Sequence, residues 1–421
     1  MTMEQLENAS HSTSQAGRNP FGLVDTLLRG QVFGLLKKLG QGSLTIAEGE
    51  KVSRFGERSA EPGLRSVVEI HDPAFYRAIA LRGSVGAGEA YMDHLWTCDD
   101  LTAAIRIFAR NRDLLGSLDR GWSRLTSPLL RFRHLARRNT RRGGRRNIAE
   151  HYDLGNDLFE LFLDDTMMYS CAFFEKETMS LREASVAKLD RICRKLELDS
   201  SDHVLEIGTG WGGFALHAAR DYGCRVTTTT ISRAQFDFAR ERVARAGLSD
   251  RITILLRDYR DLEGQFDKLV SIEMIEAVGY EYLETYFRSC DERLRPGGRA
   301  LIQAITIAEE FLEEAMRSVD FIKRYIFPGS ALPAVSQLRR IVGEATRLEW
   351  IDTEEITPHY ARTLRLWRER FMANLDRVRA IGYPERFIRM WDFYLAYCEA
   401  GFLERHIGDV QILLRKGSSE A

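Results

Sequence analysis

The sequence predicts an α/β fold, in which a Rossmann-like, doubly wound parallel sheet follows a smaller N-terminal α+β domain. Two observations predict it. From about residue 147, short β-rich segments alternate with helical ones, and a glycine-rich turn directly follows the first of these strands. Alternation of this kind is typical of parallel sheets with helices on both faces. The strand segments are VLEIG, CRVTTTTI, ITILLRD, KLVSIEM and RALIQAIT, and helices such as AQFDFARERVARAGL and EYLETYFRSCDERL separate them.

Four regions are predicted along the 421 residues: a disordered tail (1–20), the α+β domain (21–130), a basic linker (131–147) and the α/β domain (148–421). A chain of this length favours two domains. The first domain mixes the strand-like segments SLTIAEG and SVVEIHD with the helical segments PAFYRAIALRG and LTAAIRIFARNRDLL.

Composition restricts the class of protein. The net charge is −1, so the arginine cluster RRNTRRGGRR at 137–146 is a local feature. The six cysteines form no C-x-x-C pair, which favours a reducing cytosol and predicts no metal site. The polar N-terminus resembles no signal peptide, and no apolar run is as long as a membrane span, so we expect any membrane contact to be peripheral.

The glycine turn is the first candidate site. VLEIGTGWGG places Gly208, Gly210 and Gly212 between a strand and a helix. Glycines allow a tight turn and close approach of the backbone to a ligand, while the helix N-terminus favours negative charge. A tight turn without a ligand is the structural alternative.

The residues around this turn favour S-adenosylmethionine over NAD. A dinucleotide site expects an acid about 20 residues beyond the glycines, and this chain has TTTTIS there instead. Glu206 lies at the start of the turn. Asp258 and Tyr259 follow a later strand, where the acid could accept a hydrogen bond from the adenine amine and the tyrosine ring could stack on the adenine ring. For Asp258 the alternative is a helix N-cap.

Seven motifs in order carry a family resemblance: HYDLGNDLFELFLDDTMMYSCAFFE, VLEIGTGWGG, TISRAQ, RDYRDL, MIEAVG, YIFPGSALP and HYARTLRLWRERF. Together they resemble the cyclopropane-fatty-acyl-phospholipid synthase family, related to the mycolic-acid cyclopropane synthases. The segment DPAFYRAIALRGSVGAGEAYMD resembles the additional N-terminal domain of the full-length phospholipid enzymes, so that the resemblance spans about residues 64–416. It implies a class I methyltransferase domain at 148–421.

The resemblance implies methyl transfer from S-adenosylmethionine to a cis double bond of a phospholipid acyl chain. A carbocation forms, and bicarbonate is the implied base that removes a proton and closes a cyclopropane ring. The residues implied for catalysis are Cys171, Glu276, Gln303, Ile305 and Tyr360. Those implied for cofactor binding are Tyr152, Tyr169, Ser170, Gly208, Gly210, Thr230, Gln235, Asp258 and Tyr259. Glu206 and Gly212 of the glycine turn are added to them as candidates. Structural alternatives are a small buried side chain for Cys171, a turn cap for Glu276 and a core tyrosine for Tyr360.

Gln303 departs from the family pattern, which has histidine at this position. Glutamine can donate a hydrogen bond but does not titrate near neutral pH. The alternative product is therefore a methyl or methylene branch, formed when a hydride shifts before the proton is lost.

The basic segment 131–147 has a membrane interpretation. Arginines close to an anionic bilayer contribute on the order of 1 kcal/mol each, and Phe132 and Leu135 add apolar side chains. A solvated linker is the alternative, and no base-stacking motif supports nucleic acid. The sequence thus predicts a cytoplasmic enzyme at the inner face of the membrane, with an anionic phospholipid bilayer and unsaturated acyl chains as partners. Whether the protein forms a homodimer is not determined by the sequence. An RNA or small-molecule methyltransferase and a non-catalytic lipid-binding protein are the other function classes.

Overall fold

The computed structural model describes residues 22–56, 64–112 and 155–418. The tail 1–20, the basic segment 131–147 and Tyr152 lie outside the described residues, so their predictions stay predictions. The described chain divides into two compact units: residues 22–56, 64–112, 318–326 and 371–404 form the first, and residues 155–317, 327–370 and 405–418 the second.

The strands in chain order are β1 (Ser43–Glu48), β2 (Lys51–Phe55), β3 (Arg65–Ile70), β4 (Trp96–Cys98), β5 (His203–Ile207), β6 (Arg225–Thr230), β7 (Ile252–Leu256), β8 (Phe266–Ile272), β9 (Leu294–Ile307), β10 (Leu348–Glu355) and β11 (Ile407–Lys416). The α-helices are α1 (Leu23–Leu36), α2 (Ala74–Met92), α3 (Leu101–Arg110), α4 (Asn156–Phe162), α5 (Leu181–Leu196), α6 (Gly213–Asp221), α7 (Arg233–Arg245), α8 (Leu283–Arg293), α9 (Leu312–Arg317), α10 (Val335–Ala345), α11 (Thr357–Ala373), α12 (Leu375–Ala380) and α13 (Glu385–Leu403). Single turns of 3₁₀-helix occur at Tyr259–Asp261, Ile275–Ala277, Tyr280–Tyr282 and Glu309–Phe311, and a π-helical turn at Ile322–Ile326.

The first unit is an α+β structure whose described strands form a four-stranded sheet in the order β2-β1-β3-β4. It also includes residues 318–326 and 371–404, which the sequence placed in the C-terminal domain. Buried polar contacts explain this difference. Tyr91 donates its hydroxyl to Asp392 on α13 at 2.6 Å, and Thr102 donates to Glu399 at 2.9 Å. The partners in each pair are about 300 residues apart, so local sequence patterns could not reveal them.

The second unit contains the predicted Rossmann-like sheet. Its described strands form one seven-stranded sheet in the order β10-β11-β9-β8-β5-β6-β7. Strands β5 to β9 pair in parallel, as predicted. However, β11 pairs antiparallel with both β9 and β10, so the sheet is mixed rather than wholly parallel.

The topology gathers four loops at one edge of this sheet. In parallel strands the carboxyl ends lie at the same edge, where α/β proteins bind ligands. The glycine turn follows β5, residues 231–235 follow β6, residues 257–259 follow β7, and residues 273–276 follow β8. Among helices in the described part of the chain, none is long and apolar enough to cross a membrane.

Candidate active site

The glycine turn is shaped to admit a ligand. Gly208, Gly210 and Gly212 have φ values of +104°, +52° and +85°, a region that favours glycine. The N–H groups of Gly208 and Thr209 donate to the carbonyl of Thr229, at 3.1 and 3.0 Å, so that the turn is held on the end of β6. A Cβ added to Gly210 would meet no heavy atom within 4 Å. Open space therefore adjoins the backbone at the centre of the turn.

Thr230 and Gln235 meet at the next loop, as expected for neighbouring parts of one site. Thr230 donates its hydroxyl to Gln235 Oε1 at 2.9 Å. Ser232 caps α7 by accepting from the N–H of Gln235 at 3.3 Å. Both predicted cofactor residues are buried, and their polar groups are oriented by each other and by the cap.

Asp258 is an N-cap, which is the structural alternative that the sequence left open. Its Oδ1 accepts from the N–H of Arg260 at 3.0 Å and caps the 3₁₀ turn that begins at Tyr259. The guanidinium of Arg260 also pairs with both carboxylate oxygens, at 2.8 and 2.7 Å. Tyr259 packs edge-on against Tyr286, with ring centroids 5.6 Å apart. An adenine contact by this pair stays a prediction.

The segment before α5 lies against the glycine turn. Arg242 of α7 donates to the carbonyls of Trp211 and Thr166, at 2.8 and 3.1 Å, and thereby joins the two segments. Tyr169 is enclosed by aromatic rings, with Phe159 and Trp367 both at 5.2 Å between centroids.

Glu206 combines burial with an unused acceptor. It is the penultimate residue of β5, two positions before Gly208, and its Oε2 has no hydrogen-bond partner among the described residues. Burial raises the pKa of Glu206 to about 8, against the hydrogen bond from Thr228. The open cradle and this free acceptor fit a ligand with an amine or hydroxyl donor, as S-adenosylmethionine has.

Glu273 is the centre of a group of three neighbouring acids that we call the carboxylate cluster; its other members are Glu276 and Asp409, and their charges act on one another. Glu273 Oε1 accepts from the N–H of Cys171 at 2.8 Å and from the amide of Gln303 at 2.7 Å. Its Oε2 accepts from the hydroxyl of Tyr360 at 2.6 Å. Three groups predicted to hold an anion therefore converge, but on a side chain that the sequence analysis did not single out.

The register between β9 and β11 brings Asp409 and Gln411 next to Gln303. Gln303 pairs with Gln411 and Ile305 with Asp409, so alternate residues of both strands face the cluster. Gln303 is fully buried, donates to Asp409 Oδ2 at 3.2 Å and accepts from the Gln411 amide at 3.1 Å. Its neutral amide thus bridges Asp409 and Glu273 while its own carbonyl is satisfied.

Glu276 makes a separate contact. Its Oε1 accepts from the N–H of Ile305, so these two predicted residues meet each other and not the Glu273 oxygens. The second oxygen, Oε2, is buried and has no partner among the described residues. Burial first, and the charge of Glu273 second, raise the pKa of Glu276 to about 8. Its backbone carbonyl accepts from Ala331 at 2.9 Å, which ties the loop down.

The buried Lys188 lies close to the carboxylate cluster. Lys188 is 0% exposed, and its Nζ donates to Ser170 Oγ at 2.7 Å. Burial lowers its pKa, while the charge of Glu273 acts in the opposite direction. Burial and the charge of Glu273 raise the pKa of Asp409 well above its ordinary value. Asp409 therefore keeps its proton to higher pH, which reduces repulsion within the cluster.

The cluster adjoins the cofactor turn. A Cβ added to Gly208 would lie 3.2 Å from the side chain of Met274, the residue after Glu273. Sequence reasoning missed Glu273, Asp409 and Lys188. The available signals were the second acid in SIEMIEAVG, and a lysine in the buried stripe of α5 that also contains Leu181, Ala184 and Ile192.

Comparison with known proteins identifies the family. The model of the mycolic acid cyclopropane synthetase family matches residues 139–412. The chain belongs to this family. Tuberculostearic acid methyltransferase UfaA1 of Mycobacterium tuberculosis is 42% identical over 368 residues, covering 85% of each chain. Cyclopropane-fatty-acyl-phospholipid synthase of Escherichia coli K12 is 38% identical over 353 residues, covering 83% of this chain and 88% of that protein.

Solved structures agree with this assignment. Cyclopropane synthase MmaA2 from Mycobacterium tuberculosis superposes with a TM-score of 0.61 at 30% identity, over 65% of this chain and 98% of its own. The structure of mycolic acid cyclopropane synthase CmaA1 complexed with SAH and CTAB gives a TM-score of 0.61 at 31% identity, with the same coverage. The predicted fold and enzyme class, an S-adenosylmethionine-dependent methyltransferase, are confirmed.

Proposed function

We propose that this enzyme transfers a methyl group from S-adenosylmethionine to the cis double bond of an unsaturated phospholipid acyl chain. The observation that carries the proposal is a buried carboxylate cluster next to an open glycine turn. Negative charge at this place can stabilise a carbocation. The printed names of two relatives support a lipid substrate: a cyclopropane-fatty-acyl-phospholipid synthase and a tuberculostearic acid methyltransferase.

The protein's own residues have separate tasks in this reaction. When bound, S-adenosylmethionine supplies an electrophilic methyl group. The glycine turn, Thr230 and Gln235 position the cofactor, and Glu206 provides a free acceptor. Within the carboxylate cluster, Glu273 provides the negative charge, because three donors favour its ionised form, and this charge acts strongly in a site that excludes water. Close positioning of a weak nucleophile and exclusion of water are the main requirements.

Bicarbonate was the base implied by the sequence resemblance, and the structure gives it a poor fit. The N–H of Cys171, the amide of Gln303 and the hydroxyl of Tyr360 already donate to Glu273. No step is therefore assigned to bicarbonate.

Ring closure is the product favoured by the resemblance, and a methyl or methylene branch is the second candidate. Two observations favour the branch: the 42% identity to a tuberculostearic acid methyltransferase, and Gln303 in place of histidine. If Gln303 steers the product, Gln303→His will increase the share of cyclopropane. An unchanged product ratio would remove Gln303 from this role.

The experiment that tests the function is mass spectrometry of lipids after incubation with phospholipid carrying a cis-monoene chain. Expected is a gain of one methylene group that requires S-adenosylmethionine. Hydrogenation or ozonolysis then distinguishes a ring from an alkene. If phospholipid gains no mass but RNA or a small molecule is methylated, another methyltransferase class replaces this one. A protein that binds lipid and S-adenosylmethionine without any transfer would be the non-catalytic alternative.

The proposal also places the enzyme peripherally at the inner face of the membrane, with its basic segment docked to anionic lipid. A homodimer is proposed as its assembly. Lipid-modifying relatives are consistent with the peripheral position.

A further inference from the structure

Glu273 has the chemistry of the anion that the family resemblance leads one to expect. A side-chain carboxylate and bicarbonate both present two oxygens on one planar carbon and carry one negative charge. In this chain those two oxygens receive the backbone N–H of Cys171, the Gln303 amide and the Tyr360 hydroxyl, all within 2.8 Å. Charge-assisted hydrogen bonds of this length favour the ionised form.

The backbone at Glu273 is specifically arranged for this contact. Its φ of +48° lies in the left-handed region, which glycine adopts readily and glutamate rarely does. The N–H of Glu273 donates to the carbonyl of Gln303 at 2.9 Å, which holds the residue at the end of β8. The residue as a whole is partly exposed, unlike Gln303 and Cys171, but its carboxylate is buried. A strained glutamate that keeps some exposure while its oxygens are fully engaged is typical of a functional position.

We propose that the Glu273 carboxylate is the built-in base of this enzyme and takes the place of bicarbonate. The proposal rests on the proposed function. The alkene electron pair forms the new C–CH₃ bond, and the S–CH₃ pair stays on sulfur, which leaves S-adenosylhomocysteine and a carbocation. Glu273 then accepts a proton from the transferred methyl group. The released C–H pair closes the ring or, after a neighbouring hydride has shifted, forms the double bond of a methylene branch.

The first test needs no variant. Wild-type enzyme is assayed in CO₂-free buffer with and without added bicarbonate, and equal rates are expected. Titration with ¹³C-labelled bicarbonate, followed by NMR, should show no saturable binding to the wild type. A wild type that stops without bicarbonate and recovers on its addition would overturn the proposal.

Two variants test the carboxylate directly. Glu273→Gln keeps the shape without the charge, and it should lose turnover on the order of 10²–10⁴-fold, as expected for a lost base. Glu273→Gly suits the positive φ and removes the carboxylate that accepts from Cys171 and Tyr360. It should bind ¹³C-bicarbonate and regain turnover saturably with bicarbonate or formate. The matched control is Glu284→Gln, an exposed carboxylate on α8, which should keep the wild-type rate.

Near wild-type turnover of Glu273→Gln would overturn the proposal, whether or not Glu273→Gly folds. Affinity for S-adenosylhomocysteine, measured by calorimetry, checks that each variant retains its cofactor site. Failure of the function is distinguishable, because the wild type would then transfer no methyl group to cis-unsaturated phospholipid under any condition. Bicarbonate-dependent transfer by the wild type would instead leave the function intact and reject the role of Glu273.

Discussion

Replacing Tyr360 by phenylalanine tests whether its hydroxyl sets the charge state of Glu273. The hydroxyl donates to Glu273 Oε2 at 2.6 Å, and phenylalanine removes this donor while keeping the ring. A hydrogen bond to a charged group contributes about 1.5–3 kcal/mol, and one pKa unit corresponds to about 1.4 kcal/mol. We therefore expect the pKa of Glu273 to rise by about 1–2 units in Tyr360→Phe.

The sign of the pH effect follows from the form that reacts. Burial already raises the pKa of Glu273 above its ordinary value. Only the carboxylate accepts a proton, so turnover is lost as pH falls through this pKa. Tyr360→Phe removes a hydrogen bond that stabilises the carboxylate, so the pH at which turnover is lost moves higher. On the acidic side of the profile, Tyr360→Phe should be roughly ten- to a hundredfold slower than wild type, from the same 1–2 units.

The assay is the pH dependence of kcat/KM, from initial rates with cis-monoene phospholipid and mass-spectrometric detection. The matched control is Tyr222→Phe, which also removes a hydroxyl that donates to a carboxylate, Asp190 Oδ1 at 2.5 Å, outside the carboxylate cluster. Its pH profile should match that of the wild type. An unshifted acidic limb in a folded Tyr360→Phe enzyme would refute the coupling of Tyr360 to the base.

Three further outcomes are expected. Gly210→Val fills the open cradle and should abolish calorimetric binding of S-adenosylmethionine, whereas Gly247→Val, with φ +67° and equally open space but outside the turn, should bind normally; retained affinity in Gly210→Val would disprove the site. The pKa of Glu276, about 8, is raised, so its contribution to stability is full at low pH and is lost as pH rises through that value. The enzyme's free energy of unfolding should therefore decrease between pH 5 and 8, by up to about 1.4 kcal/mol per pH unit, and its Tm should fall in parallel. Glu276→Gln should flatten this trend; parallel Tm profiles of the two proteins would contradict it. Replacing the arginines of the basic segment by serine should weaken salt-sensitive binding to anionic vesicles and leave cofactor affinity unchanged. These arginines are Arg137, Arg138, Arg141, Arg142, Arg145 and Arg146. Equal binding of the wild type to neutral and anionic vesicles would contradict electrostatic docking.

The elements that local pattern specifies were predictable. Strands β5 to β9 are β-rich segments that alternate with helices, and the glycine turn lies between β5 and α6 as expected. Because parallel strands place their carboxyl ends together, the sequence alone located the cofactor loops at one edge. The ordered motifs also identified the family, and with it Cys171, Gln303 and Tyr360 as neighbours of one anionic group.

The tertiary structure decided which anionic group that is. In SIEMIEAVG the two acids look equivalent, but the positive φ at Glu273 directs its carboxylate to the three donors, while Glu276 meets the N–H of Ile305. Asp409 and Gln411 come from β11, more than 100 residues after Gln303. Hydrophobic periodicity reports which face of an element is buried, but not which distant element covers it. The charge environment of the base therefore depends on long-range packing, and only the folded chain contains it.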